Sequence, residues 1–420
     1  MKHTRLTQFA ALALAGLIAA CSSAPGALSP ASAGPTTVAS GSSSAPTTKT
    51  LLIGAALPLT GALAANGKEQ RDGYELWKDK VNAAGGIKVG NVSYTIDIKY
   101  YDYKSDTTTA VKLTEKLITE DKVQAVLGPY GSGATEAASA IAEQYGVPML
   151  SPSGGAATLF QKGYKYLFGT LVGLDTVAKQ IVDFAATLSP APKTIGLIVR
   201  NDLFPTAQGK AIEAAAAKAG LTIVYNQQFP PDTTDLSTAL LGAKAAKPDM
   251  LIGLGYVNDL ILMTKQAKEL QVKPMAFLQT AGPSHFSYIP ALKADANGIL
   301  TVDWWAPQLE YKDSLFGTAT NYATEFNAKY SYPPSYISAS ATACGYLIQL
   351  AIEKAGSVDP AAMRAALAGM DAETFYGHIK FNEGGQNIGS PVVIEQIMNQ
   401  KVVTVFPESV AASKADYPLK

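Results

Sequence analysis

The stretch Val123-Gln124-Ala125-Val126-Leu127-Gly128-Pro129-Tyr130-Gly131-Ser132-Gly133-Ala134-Thr135 decides the fold. Val123–Leu127 is a short apolar run of the kind found in strands buried on both faces. Gly128-Pro129 punctuates a turn, small residues follow, and Thr135–Tyr145 reads as a helix. Val147–Leu150 then returns to a buried strand. Strand, glycine-bearing turn, helix and strand in that order make a parallel unit with a right-handed crossover.

The same alternation extends in both directions. Leu51–Leu57 reads as a buried strand, and Gly67–Ala84 as a helix with Tyr74, Trp77 and Val81 on one face, stopped by Gly85-Gly86. Thr95–Tyr103 alternates Ile96, Ile98 and Tyr100 onto one side, and Ala110, Leu113 and Leu117 mark another helix. A second series begins near Val172. Helices Thr176–Leu188, Ala207–Ala219, Leu236–Lys247 and Asp259–Leu270 alternate with strands Thr194–Arg200, Leu221–Phe229, Asp249–Gly255, Met275–Gln279 and Gly298–Trp305. Two such series predict an α/β protein of two doubly wound parallel-sheet lobes. The tail carries helices Ser335–Ala355 and Pro360–Met370, a strand Gly377–Phe381, and strands Val392–Met398 and Lys401–Phe406 joined as a hairpin at Asn399-Gln400. That change of pattern implies several crossings between lobes, hence a hinge and a ligand cleft.

The N-terminus fixes where the protein works. Lys2 and Arg5 precede a short apolar core, Phe9–Ala20, and small residues lead into Cys21. This is the layout of a secretory signal, and a core of about 12 residues is too short to span a bilayer. Cys21 sits where a bacterial lipoprotein signal places the residue to be acylated. From Ser22 to about Thr48 the chain is almost wholly Ala, Ser, Thr, Gly and Pro, a composition that stays flexible as a tether. The expected location is therefore exported and lipid-anchored at a membrane surface.

Composition excludes several classes. The chain has 34 basic and 34 acidic residues, and loss of Lys2 and Arg5 with the signal leaves a net charge of −2. Nothing there argues for nucleic acid as a partner. With Cys21 committed to lipid, Cys344 has no disulfide partner. His285 and His378 show no metal-ligand spacing, and Ser132 lacks the Gly-x-Ser-x-Gly context of a nucleophile elbow, so no catalytic group or cofactor is expected.

In open parallel sheets ligands sit beyond the carboxyl ends of strands, against helix N-termini. Three segments qualify: Tyr130-Gly131-Ser132, whose amides and hydroxyl suit a carboxylate; Ser151-Pro152-Ser153-Gly154-Gly155; and Gly255-Tyr256, whose tyrosine could cover a ligand. Trp304-Trp305, ending a strand, reads equally as packing or as a cleft wall.

Leu57-Pro58-Leu59-Thr60-Gly61, Val81-Asn82-Ala83-Ala84-Gly85-Gly86-Ile87, Gly146-Val147-Pro148, Ser151-Pro152-Ser153 and Glu373-Thr374-Phe375-Tyr376-Gly377-His378-Ile379-Lys380-Phe381 together resemble the type I solute-binding proteins of ABC importers, the leucine/isoleucine/valine-binding branch above all. The resemblance implies two lobes joined by three crossovers, with 1–20 as signal and 21–50 as lipidated linker. Residues 51–170 and 307–370 would form lobe one, and 171–306 and 371–420 lobe two. It implies a monomer that closes over a small molecule and presents it to a membrane permease. Ser132 matches the family's carboxylate-binding serine, Gly154 and Gly155 its backbone loop, and Tyr256 its covering tyrosine. Phe204 matches a second lid residue, and Asn66 lies in the first-lobe loop that reaches the cleft. Gly155 stands where amino-acid binders carry a threonine for the ligand ammonium, and Ala281 where they carry a glutamate. The carboxylate half is kept and the amine half is not, so the expected ligand is a small carboxylate-bearing molecule: an amino acid of the branched-chain family, or an organic acid or amide with an apolar or aromatic body that need not be an α-amino acid. Two other classes remain open: a receptor reporting to a signalling protein, and an enzyme on the same fold.

Overall fold

The computed structural model describes residues Thr47–Leu419. The signal 1–20, Cys21 and residues 22–46 of the tether lie outside the described residues. The expected linker ends earlier than position 50, because Thr47–Leu57 is already a strand, paired along its length with Val92–Asp102.

The described strands form two seven-stranded sheets and two small two-stranded ones, Lys312–Asp313 with Gly317–Thr318 and Asp371–Thr374 with Gly377–Lys380. In the first, the order is Gln386–Asn387, Leu167–Val172, Met149–Ser151, Ala125–Leu127, Thr47–Leu57, Val92–Asp102, Ile87–Val89. All pairs are parallel except the short Ile87–Val89 edge. In the second, the order is Lys401–Phe406, Val393–Met398, Leu300–Asp303, Ala276–Thr280, Met250–Leu254, Thr194–Arg200, Thr222–Phe229. Its five strands from Thr222–Phe229 to Leu300–Asp303 are parallel, and the final hairpin adds antiparallel. Central strands such as Ala125–Leu127 and Met250–Leu254 are buried throughout, as their unbroken apolar sequence requires.

The hairpin at Asn399-Gln400 forms as read: both residues take left-handed backbones, φ +51° and +60°, the pair of values a two-residue primed turn needs. The helix Tyr336–Ala355 packs on Ala64–Ala83 at unusually close range. A Cβ on Gly73 would stand 2.4 Å from the Ser338 carbonyl oxygen, and one on Gly345 would stand 2.2 Å from Trp77 Cδ2. Thr342 donates to the Gly73 carbonyl at 2.7 Å. These contacts hold the helix to the first lobe.

The chain passes between sheets three times, after Val172, after Asp303 and after Asn387. The last crossing corrects the expectation that all of 371–420 belongs to lobe two. Gln386–Asn387 returns to the edge of the first sheet beside Leu167–Val172, fixed by the Asn387 amide donating to the Thr170 carbonyl at 3.0 Å.

Candidate functional site

The helix expected over 135–145 begins three residues earlier, as Ser132–Tyr145. Gly131 caps it with φ +84°, a backbone that favours glycine. Ser132 is thus the first helical residue, at the carboxyl end of strand Ala125–Leu127. The first-turn amides of Ser132, Gly133 and Ala134 have no intrahelical acceptor, and the helix end carries partial positive charge.

The Ser132 hydroxyl is already engaged. Its oxygen accepts the backbone N–H groups of Gly155 and Ala156, both at 3.1 Å, so the two first-lobe loops are tied to each other. A second tie is Ser153, whose hydroxyl accepts the Gly131 N–H at 3.1 Å. The Gly155 amide therefore points at Ser132, while the Ser132 O–H remains available to donate. Gly154 turns inward: its N–H donates to Ser151 Oγ at 2.9 Å, and a Cβ there would meet Thr135 Cγ2 at 2.9 Å.

Around this corner the structure gathers aromatic rings from both lobes. Tyr130 accepts a hydrogen bond from Asn66 Nδ2 at 3.0 Å and meets the Tyr256 ring edge-on, centroids 5.8 Å apart. Tyr256 caps helix Val257–Glu269, and its hydroxyl stands 3.4 Å from where a Gly131 Cβ would be. Phe204, in the first turn of Leu203–Lys218, lies against Gly155: a Cβ on Gly155 would fall 2.9 Å from Phe204 Cε2. The row continues through Trp304 (6.1 Å from Phe204) to Tyr336 (5.0 Å from Trp304). Burial holds the Tyr130, Tyr256 and Tyr336 phenols above their ordinary range, so they stay neutral.

Asn66, Tyr130, Gly131, Ser132, Gly155, Phe204 and Tyr256 thus come together, and all are buried. Ala281 stands at the end of strand Ala276–Thr280 with φ +63°, a strained backbone for alanine, and makes no hydrogen bond to this group. Trp304 is a wall of the site; its indole N–H donates to the Val172 carbonyl at 3.3 Å. Trp305 lies beside the second crossing, away from the Ser132 corner, and donates to the Phe375 carbonyl at 3.0 Å.

Sequence reasoning missed Tyr336, Arg200 and Asp303. Arg200 lies against the Tyr256 ring at 5.3 Å and pairs with Asp259 at 2.9 Å. Asp303 gave a signal that went unread: a carboxylate inside the buried run Leu300-Thr301-Val302-Asp303. Among the described residues no three His, Cys, Asp or Glu side chains converge on a metal-sized site, and no helix is long and apolar enough to cross a membrane.

Comparison with known proteins identifies the family and the fold. The periplasmic binding protein family model matches residues 50–401. The Leu/Ile/Val-binding protein homolog 8 of Brucella abortus is 29% identical over 382 residues, covering 86% of this chain and 92% of its own. Among solved structures, the Streptococcus pneumoniae branched-chain amino acid transporter substrate-binding protein LivJ, in complex with isoleucine, superposes with a TM-score of 0.74. It is 27% identical, over 84% of this chain and 98% of its own. A solute-binding protein of an R. palustris ABC transporter in complex with benzoate shares the fold, with a TM-score of 0.74 at 19% identity over 88% of this chain and 99% of its own.

Proposed function

This chain belongs to the periplasmic binding protein family, whose members bind substrates and do not transform them, and from that premise we propose that it is the lipid-anchored substrate-binding component of an ABC importer. Cys21 would carry the lipid, and the mass of the mature N-terminal peptide reports it. The two lobes close over a small carboxylic acid with an apolar or aromatic body, for which an α-ammonium group is dispensable.

The observation that carries this reading is the Phe204 ring against Gly155. The space where a hydroxyl could receive an ammonium is occupied by an aromatic edge, and Ala281 supplies no charge on the facing loop. An ammonium buried there without a partner would cost several kcal/mol. An acid needs only what the Ser132 corner offers: a hydroxyl proton, first-turn amides and a helix dipole. The rings of Tyr130, Phe204, Tyr256, Trp304 and Tyr336 suit a flat or branched apolar body. Related proteins span this range, one holding isoleucine and one benzoate.

Calorimetric titration of ligand-stripped protein with leucine, 4-methylpentanoate and benzoate tests it. At least one of the two acids lacking nitrogen should bind as tightly as leucine. Tight leucine binding that falls tenfold or more on deamination, about 1.4 kcal/mol, would refute the reading.

A further inference from the structure

A second cavity, of about 420 Å³, opens on the other side of the lobe junction, where the chain leaves strand Leu300–Asp303. That volume lies within the range of small-molecule pockets. Its walls are largely apolar, with Phe286, Ile289, Trp305 and Pro334, while Ser284 and Glu395 supply polar lining. None of its residues belongs to the Ser132 corner.

Beside that lining lies a set of buried acids. Asp303 is fully buried; neither oxygen makes a hydrogen bond of good geometry, and the polar side chains facing it are the Ser284 hydroxyl and the Glu395 carboxyl. Thr301 lies opposite Glu395 and Asp303 opposite Val393, so Asp303 and Glu395 are diagonal neighbours on one face of the antiparallel pair. Thr404 donates to Glu395 at 3.2 Å, and Gln308 also faces that carboxylate. A third buried acid, Glu69 on the first-lobe helix, turns one oxygen to His285 Nε2 at 3.4 Å. His285 Nδ1 accepts the Ser287 N–H at 3.1 Å, so its proton is on Nε2, and burial holds the ring below its ordinary range and neutral. Tyr336 and Tyr376, also near Asp303, are neutral phenols. Lys401, the one basic side chain on the cavity wall, is exposed at the rim.

Burial, then Glu395, raises Asp303 well above the carboxylate range, and burial pushes Glu395 up to about 7. The pair therefore retains a proton near neutrality. A bound cation would replace it, and the donor set does not converge as a metal site does.

We propose that this cavity is a second binding site, for an organic ammonium ion bearing an apolar body. The head sits at Glu395, Asp303 and Ser284, and the apolar body lies along the Trp305, Ile289 and Pro334 side of the cavity. Binding expels the proton held between the two acids, at residues distinct from those of the Ser132 corner.

Phenethylamine and its uncharged counterpart 2-phenylethanol are the probes. Titrated at pH 7, the amine should bind at least tenfold tighter than the alcohol, with a heat that depends on the buffer's ionisation enthalpy because a proton is released. A crystal soaked with the amine should show its nitrogen at Glu395. Glu395→Gln should weaken the amine at least tenfold and Ser284→Ala severalfold. Folding of the first variant is checked by its pH profile. The folded wild type holds a proton that the unfolded chain loses near pH 4.3, so its stability declines from there to about pH 7. Glu395→Gln should remove the Glu395 share of that decline and leave the share that burial of Asp303 contributes. Equal binding of amine and alcohol, nitrogen seated elsewhere in the crystal, or undiminished amine binding by a folded Glu395→Gln would each overturn the proposal.

Discussion

The Ser132 oxygen ties two loops together, and on the proposed reading its proton also meets the acid. The sequence showed a hydroxyl in a glycine-bearing turn leading into a helix, but it could not show that Gly155 and Ala156 donate to that oxygen. Those partners are more than 20 positions away and reach it only through sheet order. Removing the oxygen leaves two buried N–H groups unpaired, at about 1–3 kcal/mol for such a group. Ser132→Ala should therefore lower the unfolding free energy by on the order of 2 kcal/mol even without ligand, measured by urea titration, besides weakening acid binding. A variant as stable as the parent would show that the tie between loops is not made in solution. Gly155 was legible for the opposite reason: an absent side chain at a matched position is visible in the sequence, although the Phe204 ring that takes its place is not.

Elements with a strong period were readable and short ones were not. Strands Thr194–Arg200 and Lys401–Phe406 fall where the pattern puts them, and the Asn399-Gln400 turn carries its own chemistry. Helix Ala319–Tyr330 escaped because Thr, Asn and Tyr are weak helix formers, and its Thr318 cap is one hydroxyl accepting the Asn321 N–H. Gln386–Asn387 has only two residues and no period; its place is set by Asn387 reaching the Thr170 carbonyl. A glycine inside an exposed helix costs about 1 kcal/mol against alanine. Here the ranking reverses. A methyl on Gly345 would stand 2.2 Å from the Trp77 ring at its Cδ2, in a core that does not yield easily. Gly345→Ala should destabilise by about 1–3 kcal/mol in guanidinium unfolding despite its higher helix propensity. A gain in stability would mean that the two helices sit farther apart than described.

Across the whole molecule, the lobes meet through few contacts outside the ligand corner. Asn258 Nδ2 donates to the Ala62 carbonyl at 3.1 Å, and Phe286 of the second lobe stacks on Tyr332 of the first with centroids 4.3 Å apart. Lys68 of the first lobe lies over the Phe286 ring at 5.4 Å. Three crossings tether the lobes without fixing the angle between them, so these contacts bias the open–closed balance along with the ligand. A ligand moves that balance only by its preference for the closed form, and the affinity it shows scales with the fraction of protein able to close. Phe286→Ala removes a stack worth about 0.5–1.5 kcal/mol without touching the Ser132 corner. Where the closed form is the minor one, apparent affinity for any ligand that binds at the proposed site should fall by roughly two- to tenfold, with the loss spread equally over every acid tested because each shares the same closing step. Small-angle scattering should show a larger radius of gyration for the unliganded variant and recovery at saturating ligand. Selective loss of one acid, or unchanged scattering with unchanged affinity, would mean that the Phe286–Tyr332 stack makes no contribution to closure and that the ligand corner alone holds the lobes together.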